Sequence, residues 1–288
     1  MASVLTDPLQ PASSGVLTAR ALRVLADLVH TYSGIVLGPD KQMLVSNRLR
    51  RRVTELGLAS YDAYIDRLTS PAGGEEIETL IDLITTNHTG FFREPEHFRF
   101  LSEAVIGTEG SVAGAARGPL RIWSAAVASG EEAYTIAMVA AEAGRRGPGP
   151  GVEILGSDIS RRMVAVADRA TYGIDAVAAI PVELRRRYFQ RGVRTQQGQC
   201  RVQPALRAAV ELRRINLLDS AYPLSGLQHV IFCRNVMIYF DAELRSEIVD
   251  RLVRHLLPGG YLFVGYSESL NAAAHGLEAV RHGVYRRS

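Results

Sequence analysis

A chain of 288 residues with 47% hydrophobic and 22% charged residues has the composition of an ordinary globular protein, which excludes the disordered and fibrous classes. Its net charge of +3 is small, but arginines crowd the ranges 48–52 and 185–194, and such basic faces fit nucleic acid, anionic lipid or an acidic protein surface alike. The two cysteines, Cys200 and Cys233, have neither metal-type spacing nor the density of a secreted scaffold, so we expect a reduced intracellular chain without a disulfide.

The first 15 residues, MASVLTDPLQPASSG, lack the basic start and the apolar block of a secretory signal. No later run approaches the roughly 18 to 20 apolar residues that are needed to span a bilayer. We therefore expect a soluble, cytoplasmic protein in which residues 1–15 form a flexible tail.

Helical periodicity extends from Thr18 to Thr86. Four segments carry apolar stripes, and packing them together is the simplest way to bury these stripes. Pro39 is expected to open the second helix, Gly57 to end it, and Ser60 to cap the third. The sequence thus predicts an all-α domain over residues 16–90.

After residue 119 the pattern changes to short apolar runs, LRIW, VEILGS, HVIFC and YLFVG, that are rich in branched residues. They alternate with helices predicted over Glu131–Arg145 and Asp241–Leu257, which indicates a largely parallel α/β sheet in residues 91–288. Residues 107–119 read as a linker or loop. Residues 192–212 break the alternation and predict a small antiparallel β insertion.

The first stretch with ligand-binding features is the strand, loop and helix of residues 122–138. Small residues fill the turn after the strand, which is the nucleotide position of a Rossmann-like domain. Yet G-x-G-x-x-G is absent, and Glu131 and Glu132 stand where a pyrophosphate would need N–H groups and no competing charge. We expect a positively charged ligand such as S-adenosylmethionine, unless both acids only favour the helix N-terminus.

Asp158 follows the second predicted strand, roughly where Rossmann-like domains place an acid on the ribose hydroxyls. Its alternative role is the N-cap of the helix after Ser160. Both roles stay open on these residues alone.

Two further stretches gather polar side chains. Residues 85–101, at the border of the two halves, place Asn87, Thr89 and Arg93 around two adjacent phenylalanines. Residues 232–240, FCRNVMIYF, put Arg234, Asn235 and Tyr239 after a strand, where open α/β sheets bind ligands.

Seven motifs together resemble those of the chemotaxis receptor methyltransferases, the CheR family. They occur in the family's order and are TNHTGFFRE, IWSAAVASGEEAYTIAM, SDIS, RYFQRG, NLLD, FCRNVMIYFD and LLPGGYLFVGYSESL. The resemblance implies a Rossmann-like S-adenosylmethionine-dependent methyltransferase domain, with its β insertion, behind an all-α domain. It also implies a reaction that esterifies glutamates on the cytoplasmic domains of membrane chemoreceptors and releases S-adenosylhomocysteine, without a metal.

The resemblance further implies a set of site residues. Cofactor contacts would come from Asn87, Thr89, Arg93, Glu132, Asp158, Asn216, Leu217, Arg234 and Asn235. Arg93 and Tyr239 would flank the reacting methyl group. Receptor recognition would come from the basic second helix, through Arg48, Arg50, Arg51 and Arg52.

Several expectations accompany this resemblance. Some family members dock a receptor tail peptide on the β insertion by strand addition. The segment Val127-Ala128-Ser129 replaces a commoner Ser-Thr pair, which we expect to loosen cofactor binding without abolishing activity. A monomer is expected.

Two other functions compete with this one. A nucleic-acid methyltransferase would suit the arginine clusters, but RNVMIYF stands where such enzymes carry an Asn/Asp-Pro-Pro-aromatic turn for a flipped base. A non-catalytic module that binds S-adenosylmethionine is the other alternative, and retention of Arg93, Arg234 and Tyr239 argues against it.

Overall fold

The computed structural model describes residues 15–106, 118–146 and 151–288. All but the last residue of the predicted tail, and all but the last two residues of the predicted linker, therefore lie outside the described residues. The chain forms two compact units that divide between Thr85 and Thr86, so the sequence-based boundary at residue 90 lies within the second unit.

In the described part of the first unit, residues 15–85, the chain forms four α-helices, as the periodicity predicts. They are α1 (Ala19–Ser33), α2 (Gln42–Glu55), α3 (Tyr61–Thr69) and α4 (Gly74–Ile84). The Ser60 hydroxyl caps α3 by accepting the Ala63 N–H at 3.2 Å, whereas Pro39 opens a short 3-10 turn ahead of α2. Apolar stripes from all four helices meet in one core that contains Leu25, Val29, Val45, Leu49, Val53, Tyr64, Leu68 and Leu80.

The second unit is an α/β domain with ten strands and six α-helices among the described residues. The strands are β1 (Leu120–Ser124), β2 (Val152–Asp158), β3 (Thr171–Gly173), β4 (Phe189–Arg191), β5 (Gln199–Val202), β6 (Val210–Arg214), β7 (Gln228–Phe232), β8 (Leu256–Phe263), β9 (Leu277–Arg281) and β10 (Val284–Arg287). The helices are α5 (Pro95–Phe100), α6 (Glu131–Arg146), α7 (Arg161–Arg169), α8 (Val182–Tyr188), α9 (Pro204–Ala208) and α10 (Ala242–Arg254).

Seven of these strands form one sheet in the order β6-β2-β1-β7-β8-β10-β9. The first five are parallel, and β10 and β9 close the sheet with antiparallel pairs. The chain proceeds outward from β1 to β2 and β6, and then returns to the other side of β1 with β7. The topological switch point therefore lies between β1 and β7, and ligands of such sheets bind beyond the carboxyl ends of the strands there.

A second, three-stranded antiparallel sheet, β3-β5-β4, confirms the predicted small β insertion but corrects its limits. It begins at Thr171, ahead of the predicted range 192–212, because β3 and β4 have three residues each and show no readable alternation. At the other end, Val210–Arg214 is a parallel strand of the large sheet, where Arg214 pairs with Asp158.

The predicted helix Asp241–Leu257 is too long by three residues. Helix α10 ends at Arg254, and Leu256 already pairs with Gln228 as the first residue of β8. Leu256 is fully buried, so its apolar side chain suits a helix stripe and a strand equally, and the sequence pattern does not separate the two. Within the described ranges, every helix is too short or too polar to cross a lipid bilayer.

Candidate active site

The loop that follows β1, residues 125–130, makes a tight, buried turn at the switch point. Ala128 has φ 47° and Gly130 has φ 99°, and the Gly130 N–H donates to the Val127 carbonyl at 3.0 Å. A Cβ on Gly130 would lie 2.9 Å from the Tyr172 hydroxyl and from the Ala167 Cβ, so only glycine fits. The turn brings backbone to the end of the sheet with little side-chain bulk.

Asp158, the last residue of β2, fastens this loop to the neighbouring strand. Its Oδ2 accepts the Ala128 N–H at 2.9 Å, and its Oδ1 accepts the Ser160 N–H at 2.9 Å. The N-cap role that was open for Asp158 belongs to Ser160, whose hydroxyl accepts the Met163 N–H at the start of α7. Asp158 is thus a buried carboxylate at the carboxyl end of β2, beside the loop of β1.

The two acids that open α6 have different surroundings. Glu132 accepts a hydrogen bond from Ser124 Oγ at 2.7 Å and pairs with the Arg234 guanidinium at 2.8 Å. Glu131 accepts from Ser129 Oγ at 2.6 Å, and burial raises the pKa of its carboxyl. A carboxylate has about four acceptor positions, so Glu132 retains capacity for a ligand donor beyond its two described partners.

Arg234, directly beyond β7, joins three segments of the site. Its guanidinium pairs with Glu132 at 2.8 Å and with Glu94 at 2.9 Å, and it also donates to the Arg93 carbonyl at 2.6 Å. Only 2% of its side chain is exposed, and it lies 5.3 Å from the ring centroid of Phe98. One buried cation therefore holds the start of α6 and the segment that carries Arg93 against the end of the sheet.

Sequence reasoning missed Glu94, which has φ 59° and turns its carboxylate into the site. Besides Arg234, the carboxylate accepts the Asn235 amide N–H at 3.2 Å and the Tyr266 backbone N–H at 3.2 Å. Burial alone would raise the pKa of Glu94, but the hydrogen bond and the charge of Arg234 hold it below its ordinary value. Glu94 follows Arg93 in the quoted motif TNHTGFFRE, and that position is the one sequence signal that could have identified it.

Glu268, beyond β8, is the second acid that sequence reasoning missed. Its carboxylate accepts three backbone N–H groups, from Asn235 at 2.7 Å, Gly265 at 2.6 Å and Met237 at 2.8 Å. Only 6% of the residue is exposed. It lies in the quoted motif LLPGGYLFVGYSESL, five residues after β8 ends at Phe263, and that position is the sequence signal that could have identified it.

The remaining predicted site residues lie around this network. Arg93 is half-buried and donates to the His88 carbonyl at 2.8 Å. Tyr239 ends a 3-10 turn, Met237–Tyr239, that follows Asn235. Asn87 and Thr89, both half-buried, precede Arg93 in an irregular segment of the same unit.

Asn216 and Leu217 lie beyond β6, on the Asp158 side of the sheet. The Ile215 N–H donates to the Asp158 carbonyl at 3.1 Å, which places the turn 216–219 next to that strand end. Asn216 Oδ1 accepts the Leu218 N–H at 3.0 Å, and Leu217 is buried. The structure therefore divides the predicted cofactor residues into a group linked through Arg234 and a group near Asp158.

The four arginines predicted to recognise a receptor lie on α2, in the first unit, and have two kinds of environment. Arg48 donates to the carbonyls of Ile84 and Thr85, at the end of α4. Arg52 forms a bidentate salt bridge with buried Glu76. Arg50 and Arg51 are exposed, and their guanidinium groups donate to Asn47 and Glu55 on the same helix. The described part of the chain contains no cluster of three or more His, Cys, Asp or Glu side chains that could hold a metal ion, and both cysteines are free.

His97 packs behind Glu94 with only 1% of its surface exposed. One ring nitrogen lies 3.2 Å from the His282 carbonyl, and its ring meets that of Tyr266 edge to face at 4.9 Å. Burial, and then the positive charge of Arg234, lower the pKa of His97 to about 4.

Folding stability should therefore fall as pH decreases from the ordinary histidine pKa of 6.5 toward about 4, because in this window the unfolded chain binds a proton that the folded chain does not. The full contribution of His97 to the free energy of unfolding is present above pH 6.5. Below that pH, the free energy of unfolding falls by up to about 1.4 kcal/mol per pH unit. His97→Asn should flatten the slope between pH 6.5 and 5. Urea unfolding followed through Trp123, the single tryptophan and a fully buried residue, measures it, and equal slopes in both proteins would contradict the assignment.

Comparison with known proteins gives consistent matches. Residues 20–85 match the model of the CheR methyltransferase all-alpha domain, and residues 87–285 match that of the CheR methyltransferase SAM-binding domain. Chemotaxis protein methyltransferase 2 of Pseudomonas aeruginosa is 36% identical over 93% of this chain and 93% of its own length. Chemotaxis protein methyltransferase 1 of the same organism is 40% identical over 83% and 86%, and the Escherichia coli chemotaxis protein methyltransferase is 36% identical over 86% and 84%.

Proposed function

Since the chain belongs to the CheR methyltransferase family, we propose that this S-adenosylmethionine-dependent methyltransferase of chemotaxis esterifies glutamate side chains on the cytoplasmic domains of membrane chemoreceptors. The products are glutamate methyl esters and S-adenosylhomocysteine, and no metal takes part. The observation that supports the proposal is at the carboxyl end of the sheet. There Arg234 joins Glu132 to the Arg93 segment, and Asp158 binds the loop that leads to Glu132.

The residues of this site fit a cationic nucleotide. Around Arg234 two carboxylates, Glu94 and Glu132, face one guanidinium, which leaves a negative charge, and the buried carboxylate of Asp158 adds to it. This surplus suits the ammonium and sulfonium groups of S-adenosylmethionine and opposes a pyrophosphate. Glu132 would hold the ammonium and Asp158 the ribose, with further contacts from Asn87, Thr89, Asn216, Leu217 and Asn235.

The reaction needs alignment more than proton transfer. A glutamate with a pKa of about 4.3 is already a carboxylate at neutral pH, so no general base is required. When bound, S-adenosylmethionine supplies an electrophilic methyl group. Arg93 holds the attacking carboxylate through directed N–H donors, and Tyr239 orients it in a site from which water is excluded.

A labelling experiment tests the proposal against its alternatives. The chain is incubated with S-adenosylmethionine carrying a tritiated methyl group and, separately, with chemoreceptor cytoplasmic domains or nucleic acid. Base-labile label on receptor glutamates is the expected result. Label in nucleic acid would favour the nucleic-acid methyltransferase, and cofactor binding without transfer to any acceptor would favour the non-catalytic module.

Asp158→Asn should weaken S-adenosylmethionine binding by about tenfold to 100-fold. The amide replaces one acceptor oxygen by a donor, which opposes a backbone N–H or a ribose hydroxyl and costs about 1 to 3 kcal/mol. Titration calorimetry measures the affinity. Asp168→Asn, the same change at an exposed position on α7, is the matched control and should bind normally. Equal affinities in the two variants would remove Asp158 from the cofactor site.

Arg50 and Arg51 are proposed to dock acidic receptor helices, whereas Arg48 and Arg52 maintain the first unit. Reversing both charges with Arg50→Glu and Arg51→Glu should slow receptor methylation several-fold at low salt and flatten its salt dependence. The matched control reverses exposed Arg20 and Arg23, on α1 of the same unit. If both pairs of substitutions change the rate equally, the docking role of α2 is wrong.

Three finer expectations remain proposals. Strand β4 is an edge of the small sheet, and an edge accepts an added strand, which suits a receptor tail peptide. A cytoplasmic location follows from the receptor domains that the enzyme would modify. A monomer is the simplest state for an enzyme that reaches receptor helices through its basic α2.

A further inference from the structure

We propose that Glu268 is a positioning residue of the methyl-transfer site, which holds Asn235 and the turn that carries Tyr239. The inference rests on the proposed function and adds to it a residue outside the predicted cofactor and substrate contacts. Its carboxylate lies beyond β8 and contacts the backbone beyond β7, so it joins the ends of two parallel strands.

The three hydrogen bonds of Glu268 divide between its two oxygens. Oε2 accepts from Asn235 and from Gly265, and Oε1 accepts from Met237. In the described part of the chain, no cationic side chain forms an ion pair with Glu268, although only 6% of the residue is exposed. Backbone N–H groups alone therefore bind this buried carboxylate, as they bind an anion in a backbone nest. The carboxylate in turn fixes the positions of the backbone segments that donate to it.

The backbone that Glu268 holds has an uncommon conformation. Asn235 has φ 58°, in the left-handed region that few side chains adopt, and such conformations persist where the surroundings enforce them. Glu268 accepts the N–H groups on either side of this bend, at Asn235 and Met237, in addition to that of Gly265. The same bend starts the 3-10 turn in which the Tyr239 N–H donates to the Val236 carbonyl at 3.2 Å. Releasing the bend would move Tyr239.

Gly265 packs directly against the side chains of Asn235 and Glu268. A Cβ at this position would lie 2.3 Å from the Asn235 side-chain nitrogen and 2.9 Å from Glu268 Oε2. The absence of a side chain at Gly265 lets the carboxylate, the Asn235 amide and the strand end meet. Asn235 in turn donates its side-chain amide N–H to Glu94.

The decisive variant is Glu268→Gln, which keeps the volume but turns one acceptor oxygen into a donor that faces a backbone N–H. The full-length chain carries 3-fluorotyrosine at position 239 alone, introduced by codon suppression, and its fluorine resonance is recorded in wild type and variant. Glu76→Gln is the matched control, because Glu76 is 5% exposed and lies in the first unit. We expect Glu268→Gln to shift or broaden the resonance and Glu76→Gln to leave it unchanged.

Kinetics supply the second measurement. Displacement of Tyr239 by about 1 Å should lower kcat roughly 100-fold, while KM for the receptor changes little. Adding Glu268→Gln to Tyr239→Phe should cost little more than Tyr239→Phe alone, since both act through one side chain. If the glutamine variant does not fold, Glu268→Asp retains the charge, draws the carboxylate back by one methylene and gives the same comparisons.

An unchanged fluorine resonance in Glu268→Gln, or rate losses that multiply in the double variant, would overturn the positioning role. Failure of the proposed function has a different signature. In that case the wild-type chain transfers no methyl group to receptor glutamates, and the fluorine comparison still decides whether Glu268 places Tyr239.

Discussion

Arg234→Met is expected to lower the free energy of unfolding of the second unit by about 3 to 5 kcal/mol, because it leaves two carboxylates, Glu94 and Glu132, without their shared cation. The methionine fills the volume, so the loss measures uncompensated charge more than a cavity. Urea unfolding at pH 7 followed through Trp123 fluorescence reports on this unit, since Trp123 lies in β1.

A triple variant separates charge from packing in this prediction. Arg234→Met combined with Glu94→Gln and Glu132→Gln removes the buried charges together, and part of the lost stability should return. If the single substitution costs less than about 1 kcal/mol, the size typical of an exposed ion pair, Arg234 does not hold the site together as its contacts indicate.

Arg93→Ala is expected to reduce receptor methylation by about 100-fold to 1,000-fold, the range seen when a directed donor to a reacting group is removed. S-adenosylmethionine affinity should change by a much smaller factor, because the proposed contacts of the cofactor with Glu132 and Asp158 are retained. Calorimetric titration beside the tritiated-methyl assay separates the two effects.

Two companion variants sharpen the Arg93 prediction. Arg93→Lys should be little more active than Arg93→Ala, because an ammonium group cannot donate two parallel hydrogen bonds to one carboxylate. Arg99→Ala removes an exposed arginine on α5 that pairs with Glu96, and it should methylate at the wild-type rate. Full activity in Arg93→Ala would exclude this residue from the chemistry.

Much of the fold could be predicted because its signals are local. The strand, small-residue loop and acidic helix start around Glu132 occupy fewer than 20 consecutive residues, and the four helical stripes are equally contiguous. The matches to the family models and to the relatives confirm the family, the fold class and the methyltransferase activity. The roles of the individual site residues stay predictions that the variants above test.

The errors have physical reasons. Leu256 is buried in either a helix or a strand, so its side chain carries no information about where α10 ends. The strands β3 and β4 are too short to show a period of two. Glu94 was missed because its main partner, Arg234, lies 140 positions away in the sequence, a contact that only the sheet order creates.

The site is formed by residues that are far apart in the sequence, and this determines when it can assemble during synthesis. Its parts are contributed by residues 93, 94, 132, 234 and 268, and β7 and β8 must both be in the sheet before Glu268 meets Asn235. Contacts between residues so distant along a chain form late, after the entropy of closing long loops has been overcome. We therefore expect a nascent chain to lack the assembled site until residues up to Glu268 have emerged from the ribosome.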